Sequence, residues 1–80
     1  MGERSKLRWR CRRGMKELDV VLLNYLEHHY DMASPEEQRI FAELLDLPDP
    51  QLYAYLLDRE IPLDPAVAHV VRTISASLKA

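Results

Sequence analysis

Three equivalent helix-start signals, spaced fifteen residues apart, most constrain what this 80-residue chain folds into. Ser34-Pro35, Asp49-Pro50 and Asp64-Pro65 each place an N-capping side chain before a proline, which is well tolerated at the first helical position. Glu37, three residues after Ser34, completes a capping box. This spacing leaves room for a helix of about ten residues and a short connection. The chain beyond residue 33 therefore predicts three short helices.

Each of these three helices carries one apolar face. The predicted core residues are Ile40, Phe41, Leu44 and Leu45, then Leu52, Tyr55 and Leu56, then Val67, Val70, Val71, Ile74 and Leu78. Helices this short are unstable alone, so packing must hold them together. With two further helices before residue 33, we expect an all-α fold, a compact bundle of five short helices. It forms one domain over residues 1–80, with residues 1–4 frayed.

The longest predicted helix covers residues 15–30 and follows Gly14, one of only two glycines. Glycine adopts positive φ at little steric cost, so Gly14 can turn a short N-terminal helix into this long one. The wheel places Leu18, Leu22, Leu26 and His29 on the apolar face, Tyr25 at its edge, and Glu17, Asn24 and His28 on the opposite side.

The short N-terminal helix is expected to run from Ser5, as its cap, to about Arg12. Its apolar residues, Leu7, Trp9 and Cys11, alternate with cationic ones, which by period alone would suit a strand. No second strand is predicted to pair with it, so we favour a helix.

Asp19 lies on the apolar side of the long helix, where an unpaired carboxylate is costly. Its available donors are the side chains of Arg8 and Arg12 or the backbone N–H groups of the preceding turn. An internal tether between the first two helices and a contact with a partner are equally compatible with this pattern.

Charge is distributed unevenly along the chain. Residues 1–16 hold seven Lys/Arg against one acid, a net +6, whereas residues 17–80 hold four against twelve acids, a net −8. Such a basic segment favours an acidic or phosphate-bearing partner. The alternative is that it packs against the protein's own acidic body.

The basic segment could also bind nucleic acid. Arg8, Trp9, Arg10, Arg12 and Arg13 combine cations with an aromatic platform, as phosphate and base contacts require. The acidic remainder, a pI near 5.9 and the absence of a helix-turn-helix pattern disfavour this alternative. We therefore expect no nucleic-acid partner.

Cys11 is the sole cysteine, which excludes an internal disulfide framework and suits a reducing compartment. No apolar run is long enough to span a bilayer. The Arg-rich start is faintly like a mitochondrial transit peptide, but it runs directly into the Gly14 region with no room for a removable leader. We expect a cytoplasmic protein of bacterial type that does not insert into membranes.

Neither a metal site nor a catalytic site is predicted. Cys11, His28, His29 and His69 lack the spacing of metal ligands, and we expect a buried Cys11, a core-edge His29 and a solvated His28. No nucleophile–base set is suggested, and a domain of this size has little room for a substrate pocket.

The stretch after Trp9, Arg12-Arg13-Gly14-Met15-Lys16-Glu17-Leu18-Asp19, resembles the RGxxE signature of the SdhE (YgfY) family of small succinate dehydrogenase flavinylation factors. The likeness covers nearly the whole chain. It includes His28-His29-Tyr30-Asp31, the Ser34-Pro35-Glu36-Glu37 start and the Asp49-Pro50 start.

This resemblance implies an assembly factor, not an enzyme. Such proteins promote covalent attachment of FAD to a histidine of the flavoprotein subunit of succinate dehydrogenase, and of the related fumarate reductase. No Gly-rich phosphate loop points to a cofactor of its own, so the chain would act, as a monomer, on the client's FAD. A small interaction or antitoxin-like regulatory protein, also linked with this family, is the other alternative.

The resemblance implies partner contacts by Arg13, Gly14 and Glu17, flanked by Arg8, Arg12, Met15 and Lys16. Arg13 offers a bidentate donor, Gly14 permits close approach, and Glu17 could hold Arg13 at i,i+4 or accept a cation from the partner. Without the resemblance, a local salt bridge would explain the trio better. We expect Arg13 and Glu17 to face solvent, and Trp9 and Met15 to lie in the core.

Overall fold

The computed structural model describes residues 2–57 and 59–77, and it confirms the all-α prediction. Its elements are α1 (Glu3–Arg10), α2 (Lys16–His28), a short 3-10 helix (Tyr30–Met32), α3 (Pro35–Leu44), α4 (Asp49–Leu56) and α5 (Pro65–Ser77). Among these helices, none is both long and apolar enough to cross a membrane.

The C-terminal helix α5 lies at the centre of the bundle. It contacts α2, α3 and α4, and α1 packs against α2. The predicted apolar faces supply most of the core, as Ile40, Phe41, Leu44, Leu45, Leu52, Leu56, Val70, Val71 and Ile74 are buried. Tyr55 and Val67 pack at its edge, and Leu78 lies outside the described residues. No helix needs to be stable alone, because each covers the apolar face of another.

The buried face of α2 is wider than the wheel predicts. Tyr25, which we expected at the edge, is fully buried, with its ring centroid 4.8 Å from that of Phe41 and 6.0 Å from that of His29. Val21 is buried too. α2 therefore has neighbours on two sides, which a wheel drawn for a helix with one partner does not anticipate.

The polar side of α2 is confirmed at Glu17 and His28, which are exposed, and His29 is half-buried at the core edge. Asn24 does not point away from the protein as predicted. Its Nδ2 donates to Ser77 Oγ at 3.0 Å, because α5 packs along this side of α2.

Two of the three predicted caps are made as expected. Ser34 Oγ accepts from the Glu37 N–H at 3.2 Å, and Asp64 Oδ1 accepts from the Ala66 N–H at 2.9 Å. Asp49 differs, since it is itself the first residue of α4 and its carboxylate faces Arg13.

The first helix begins earlier than predicted. Gly2, not Ser5, occupies the N-cap, and the Ser5 N–H donates to the Gly2 carbonyl at 3.1 Å. α1 thus starts within the segment that we expected to fray, and Met1 lies outside the described residues. The Arg4 guanidinium pairs with Asp31 and donates to the Leu26 carbonyl, which holds this end of α1 against the end of α2.

The hydroxyl of Tyr25 generates a stability prediction. It is buried and has no hydrogen-bond partner among the described atoms. Removing an orphaned hydroxyl leaves no partner unsatisfied, so we expect Tyr25→Phe to keep the free energy of unfolding or raise it by up to about 1 kcal/mol in urea titrations. Tyr25→Ala, which opens a cavity, should lose about 3–5 kcal/mol. A loss above 1 kcal/mol in Tyr25→Phe would show that the hydroxyl is partnered.

The Tyr25 hydroxyl also predicts how the free energy of unfolding changes at alkaline pH. Burial raises the pKa of Tyr25 to about 12 from an ordinary 10, and Glu37 and Tyr30 add to the rise. Since the folded-state pKa lies above the unfolded one, this contribution to stability is complete below about pH 10 and is lost as pH rises towards 12. Tyr25→Phe should show a shallower fall of the unfolding free energy over this interval.

Candidate docking site at the Gly14 turn

The candidate site is the turn that joins α1 to α2. Gly14 has φ +81°, in the left-handed region predicted for it, and is exposed. A Cβ added there would meet nothing within 4 Å. The glycine is therefore needed for its backbone conformation, and the space above it is open to an approaching partner. Met15, next in the chain, is the N-cap of α2 and packs against the core, as predicted.

Asp19 braces this turn from inside the protein. Its Oδ1 accepts a hydrogen bond from the Arg13 backbone N–H at 2.7 Å. Of the donors considered from the sequence, the backbone of the preceding turn is thus the one used, which makes Asp19 an internal tether. Its position in the first turn of α2 is also favourable, because a carboxylate there complements the helix dipole.

Arg13 does not present its side chain to solvent, and that expectation is wrong. Its side chain is only 16% exposed. Nη2 donates to the Leu47 carbonyl at 2.7 Å, and Nε lies 3.3 Å from Asp49 Oδ1, an ion pair without hydrogen-bond alignment. The carboxylate beside Arg13 is therefore Asp49, not Glu17, because a partly buried carbonyl and carboxylate compete better for a guanidinium than a fully hydrated helix-surface acid.

The groups that do face solvent at the turn are Gly14, Glu17, Arg12 and Lys16, which we call the turn surface. Within the described part of the chain, none of these three charged side chains has an ion-pair partner. A free carboxylate and two free cations thus flank an open glycine. Such an arrangement can contact a partner without first breaking internal bonds.

Most arginines of the basic segment are paired internally. Arg4 pairs with Asp31, Arg8 with Glu27 at 2.6 Å, and Arg10 with Asp46, while Arg10 also donates to the Ala42 carbonyl at 2.9 Å. Of the two alternatives that the charge distribution left open, the structure therefore shows the second: the basic segment packs against the protein's own acidic body. Each surface pair contributes little by itself, but together they fix α1 on α2 and α3. Of the cations predicted to bind a partner, Arg8 is thus engaged with Glu27.

Trp9 was expected in the core, and this expectation is wrong, as 71% of it is exposed. The helical period explains the difference: Leu7 and Cys11, four residues apart, are buried, and Trp9 falls on the opposite side of α1. Arg8, Trp9 and Arg12 line a surface cavity of about 180 Å³. A helical wheel drawn for α1 predicts that Trp9 is exposed. The prediction failed because Leu7, Trp9 and Cys11 were treated as one apolar set.

Cys11 is buried, as predicted. Burial raises the pKa of its thiol to about 11, although Arg13 and Arg10 act to lower it. The thiol therefore stays protonated and unreactive at neutral pH. Across residues 2–57 and 59–77, no three His, Cys, Asp or Glu side chains gather to hold a metal ion.

Comparison with known proteins identifies the family. A family model described as "flavinator of succinate dehydrogenase" matches residues 5–78. The chain belongs to this family. The flavinator match includes every residue of the turn surface and the Asp19 and Asp49 carboxylates that brace the turn.

Curated relatives support the same assignment. The FAD assembly factor SdhE of Coxiella burnetii is 42% identical over 70 residues, which cover 88% of this chain and 85% of the relative. That of Serratia sp. (strain ATCC 39006) is 37% identical over 76 residues, 95% of this chain and 86% of the relative. That of Yersinia pestis is 35% identical over 77 residues, 96% and 88% of the two chains.

The half-buried guanidinium of Arg13 generates a prediction that distinguishes a residue that supports the turn from one that contacts a partner. Arg13→Ala removes a charge-assisted bond and leaves Asp49 unpaired, so we expect the free energy of unfolding to fall by about 1.5–3 kcal/mol. Glu17→Ala and the neighbouring Arg12→Ala should each change it by less than about 0.5 kcal/mol. Urea titration followed by circular dichroism measures all three. Equal stabilities for Arg13→Ala and Arg12→Ala would contradict the bracing role.

Proposed function

We propose that this chain promotes covalent attachment of FAD to a histidine of the flavoprotein subunit of succinate dehydrogenase, and of fumarate reductase, by binding that subunit. The observation that carries the proposal is the exposed Gly14–Glu17 turn, braced from within and lying inside the flavinator match. Relatives over nearly the whole length are FAD assembly factors, which supports the same activity here.

The turn surface suits a client that approaches closely. Gly14 has no side chain to keep the client's backbone away, and the Glu17 carboxylate is available to a cationic group of the client. Arg12 and Lys16 are available to carboxylates or phosphate. Arg13 then acts from beneath as a positioning residue, because its guanidinium fixes the turn to the α3–α4 connection.

In this proposal the chain orients reacting groups and performs no chemistry itself. The turn surface docks where the client's FAD domain meets its mobile capping domain, so that the flavin ring and the client's own histidine are held in near-attack geometry. Fixing such geometry supplies up to about 7–11 kcal/mol of a barrier in the best intramolecular models. The chain acts as a monomer in the cytoplasm, with no cofactor of its own, and the client supplies the FAD and the nucleophile.

Internal pairing of the arginines also bears on the nucleic-acid alternative. Arg4, Arg8, Arg10 and Arg13 hold Asp31, Glu27, Asp46 and Asp49, respectively, and are not free to neutralise phosphates. A protein client of mixed charge fits the remaining cations and the Glu17 carboxylate better.

Co-expression with a client tests the proposal. We expect Glu17→Ala and Gly14→Arg to lower covalent flavin on the succinate dehydrogenase flavoprotein subunit at least tenfold, measured as flavin fluorescence in denaturing gels. The first removes the free carboxylate and the second fills the open space above the turn.

Two matched variants control for composition and bulk. Glu60→Ala removes an exposed acid of the α4–α5 connection, and Gly2→Arg adds the same bulk at the other glycine, where an added Cβ would also meet nothing within 4 Å. Both should keep full flavinylation. Wild-type covalent flavin with folded Glu17→Ala and Gly14→Arg would refute the site.

A further inference from the structure

The outer face of α1 comprises Arg8, Trp9 and Arg12; Arg8 pairs with Glu27, whereas Trp9 and Arg12 have no role in the fold described above. The only tryptophan of the chain is 71% exposed at its centre. Helix rotation cannot bury it, because Arg4 and Arg8 pair towards α2 while Arg10 pairs towards α3. The internal ion pairs therefore hold α1 in the one orientation that presents Trp9 to solvent.

The chemistry of this face is that of an interaction surface. Its cavity of about 180 Å³ has an indole wall and two guanidinium groups, of which Arg12 has no ion-pair partner among the described residues. Tryptophan and arginine are, with tyrosine, the residues enriched among interface positions whose truncation strongly weakens binding. A cavity of this size accommodates one apolar side chain, and the free cation in its lining, Arg12, favours a carboxylate beside that side chain. Lys6 on α1 and Lys16 at the start of α2 are also exposed and without an ion-pair partner among the described residues.

The outer face of α1 is continuous with the turn surface. Arg12 belongs to both, and only Arg13 separates it from Gly14 in the sequence. A client docked over Gly14 therefore has the outer face of α1 directly beside it. A standard-size protein interface needs about 800 Å² from each partner, more than a four-residue turn supplies.

We propose that Trp9 is the apolar anchor of the client interface: an acidic segment of the flavoprotein client places an apolar side chain in the cavity beside Trp9, with its carboxylates on Arg12 and Lys16. This inference rests on the proposed function and adds to it a second contact region outside the RGxxE residues. It also accounts for an exposed indole that the bundle itself does not use.

A fluorine label tests the anchor directly. Because Trp9 is the sole tryptophan, 5-fluorotryptophan labelling produces one ¹⁹F resonance. We expect this resonance to shift or broaden when the purified, flavin-free flavoprotein subunit of succinate dehydrogenase is added, and to remain unchanged with a single-stranded RNA 20-mer.

Affinity measurements complete the test. By isothermal titration calorimetry with the same subunit, Trp9→Ala should raise Kd at least tenfold, Trp9→Phe by less than Trp9→Ala, and Arg12→Glu at least fivefold. Leu63→Ala truncates an even more exposed apolar residue and should leave Kd within twofold. Leu63 belongs to the α4–α5 connection and is part of neither the turn surface nor the outer face of α1.

The outcomes separate this inference from the proposed function. An unchanged resonance and wild-type affinity in Trp9→Ala, with the client bound and Glu17→Ala defective, would overturn the anchor and leave the proposed function in place. A client that never binds the wild-type chain would overturn both. A resonance that moves with RNA and not with the client would assign this face to nucleic acid and refute the anchor.

Discussion

The structure of the candidate site depends on one residue that is held at both its backbone and its side chain. The Arg13 N–H donates to Asp19 at the start of α2, and its guanidinium reaches the Leu47 carbonyl and Asp49 at the start of α4. A turn with a glycine at φ +81° is flexible in a free peptide, because glycine has many accessible conformations. Anchoring the preceding residue to two other helices removes that freedom before a partner arrives. Preorganisation of this kind lowers the entropic cost of binding.

The division of charge follows from the same arrangement. In the sequence, the basic segment and the acidic remainder form a strong dipole, which suggests a broad cationic patch. In the folded chain, carboxylates of α2, of the residues that follow it and of the α3 and α4 region engage four of the arginines. The cations of the basic segment that have no ion-pair partner among the described residues are Lys6 and Arg12, on and just after α1, and Lys16, two residues after Gly14. Because four arginines are paired internally, only a small group of cations in the basic segment is left to contact a partner.

The RGxxE motif consequently contains two kinds of residue. Gly14 and Glu17 are accessible and suited to direct contact, whereas Arg13 supports them from within. Loss of flavinylation on changing Arg13 would not by itself indicate a contact with the client. Asp19 and Asp49, outside the motif's fixed positions, belong to the same supporting set, because they hold the backbone and side chain of Arg13.

By itself, the sequence determined the helical class, the helix starts at Ser34 and Asp64, the apolar face of α3, the burial of Cys11 and the glycine turn. These depend on local rules of capping, period and backbone freedom, which operate within a few residues. Only the tertiary structure decided that Tyr25 is central, that Trp9 is exposed, and that Arg13 turns inward to Asp49 instead of pairing with Glu17. Arg13 and Asp49 are 36 residues apart in the chain. The partner of a long, charged side chain is set by which helices pack beside it, and no local pattern records that choice.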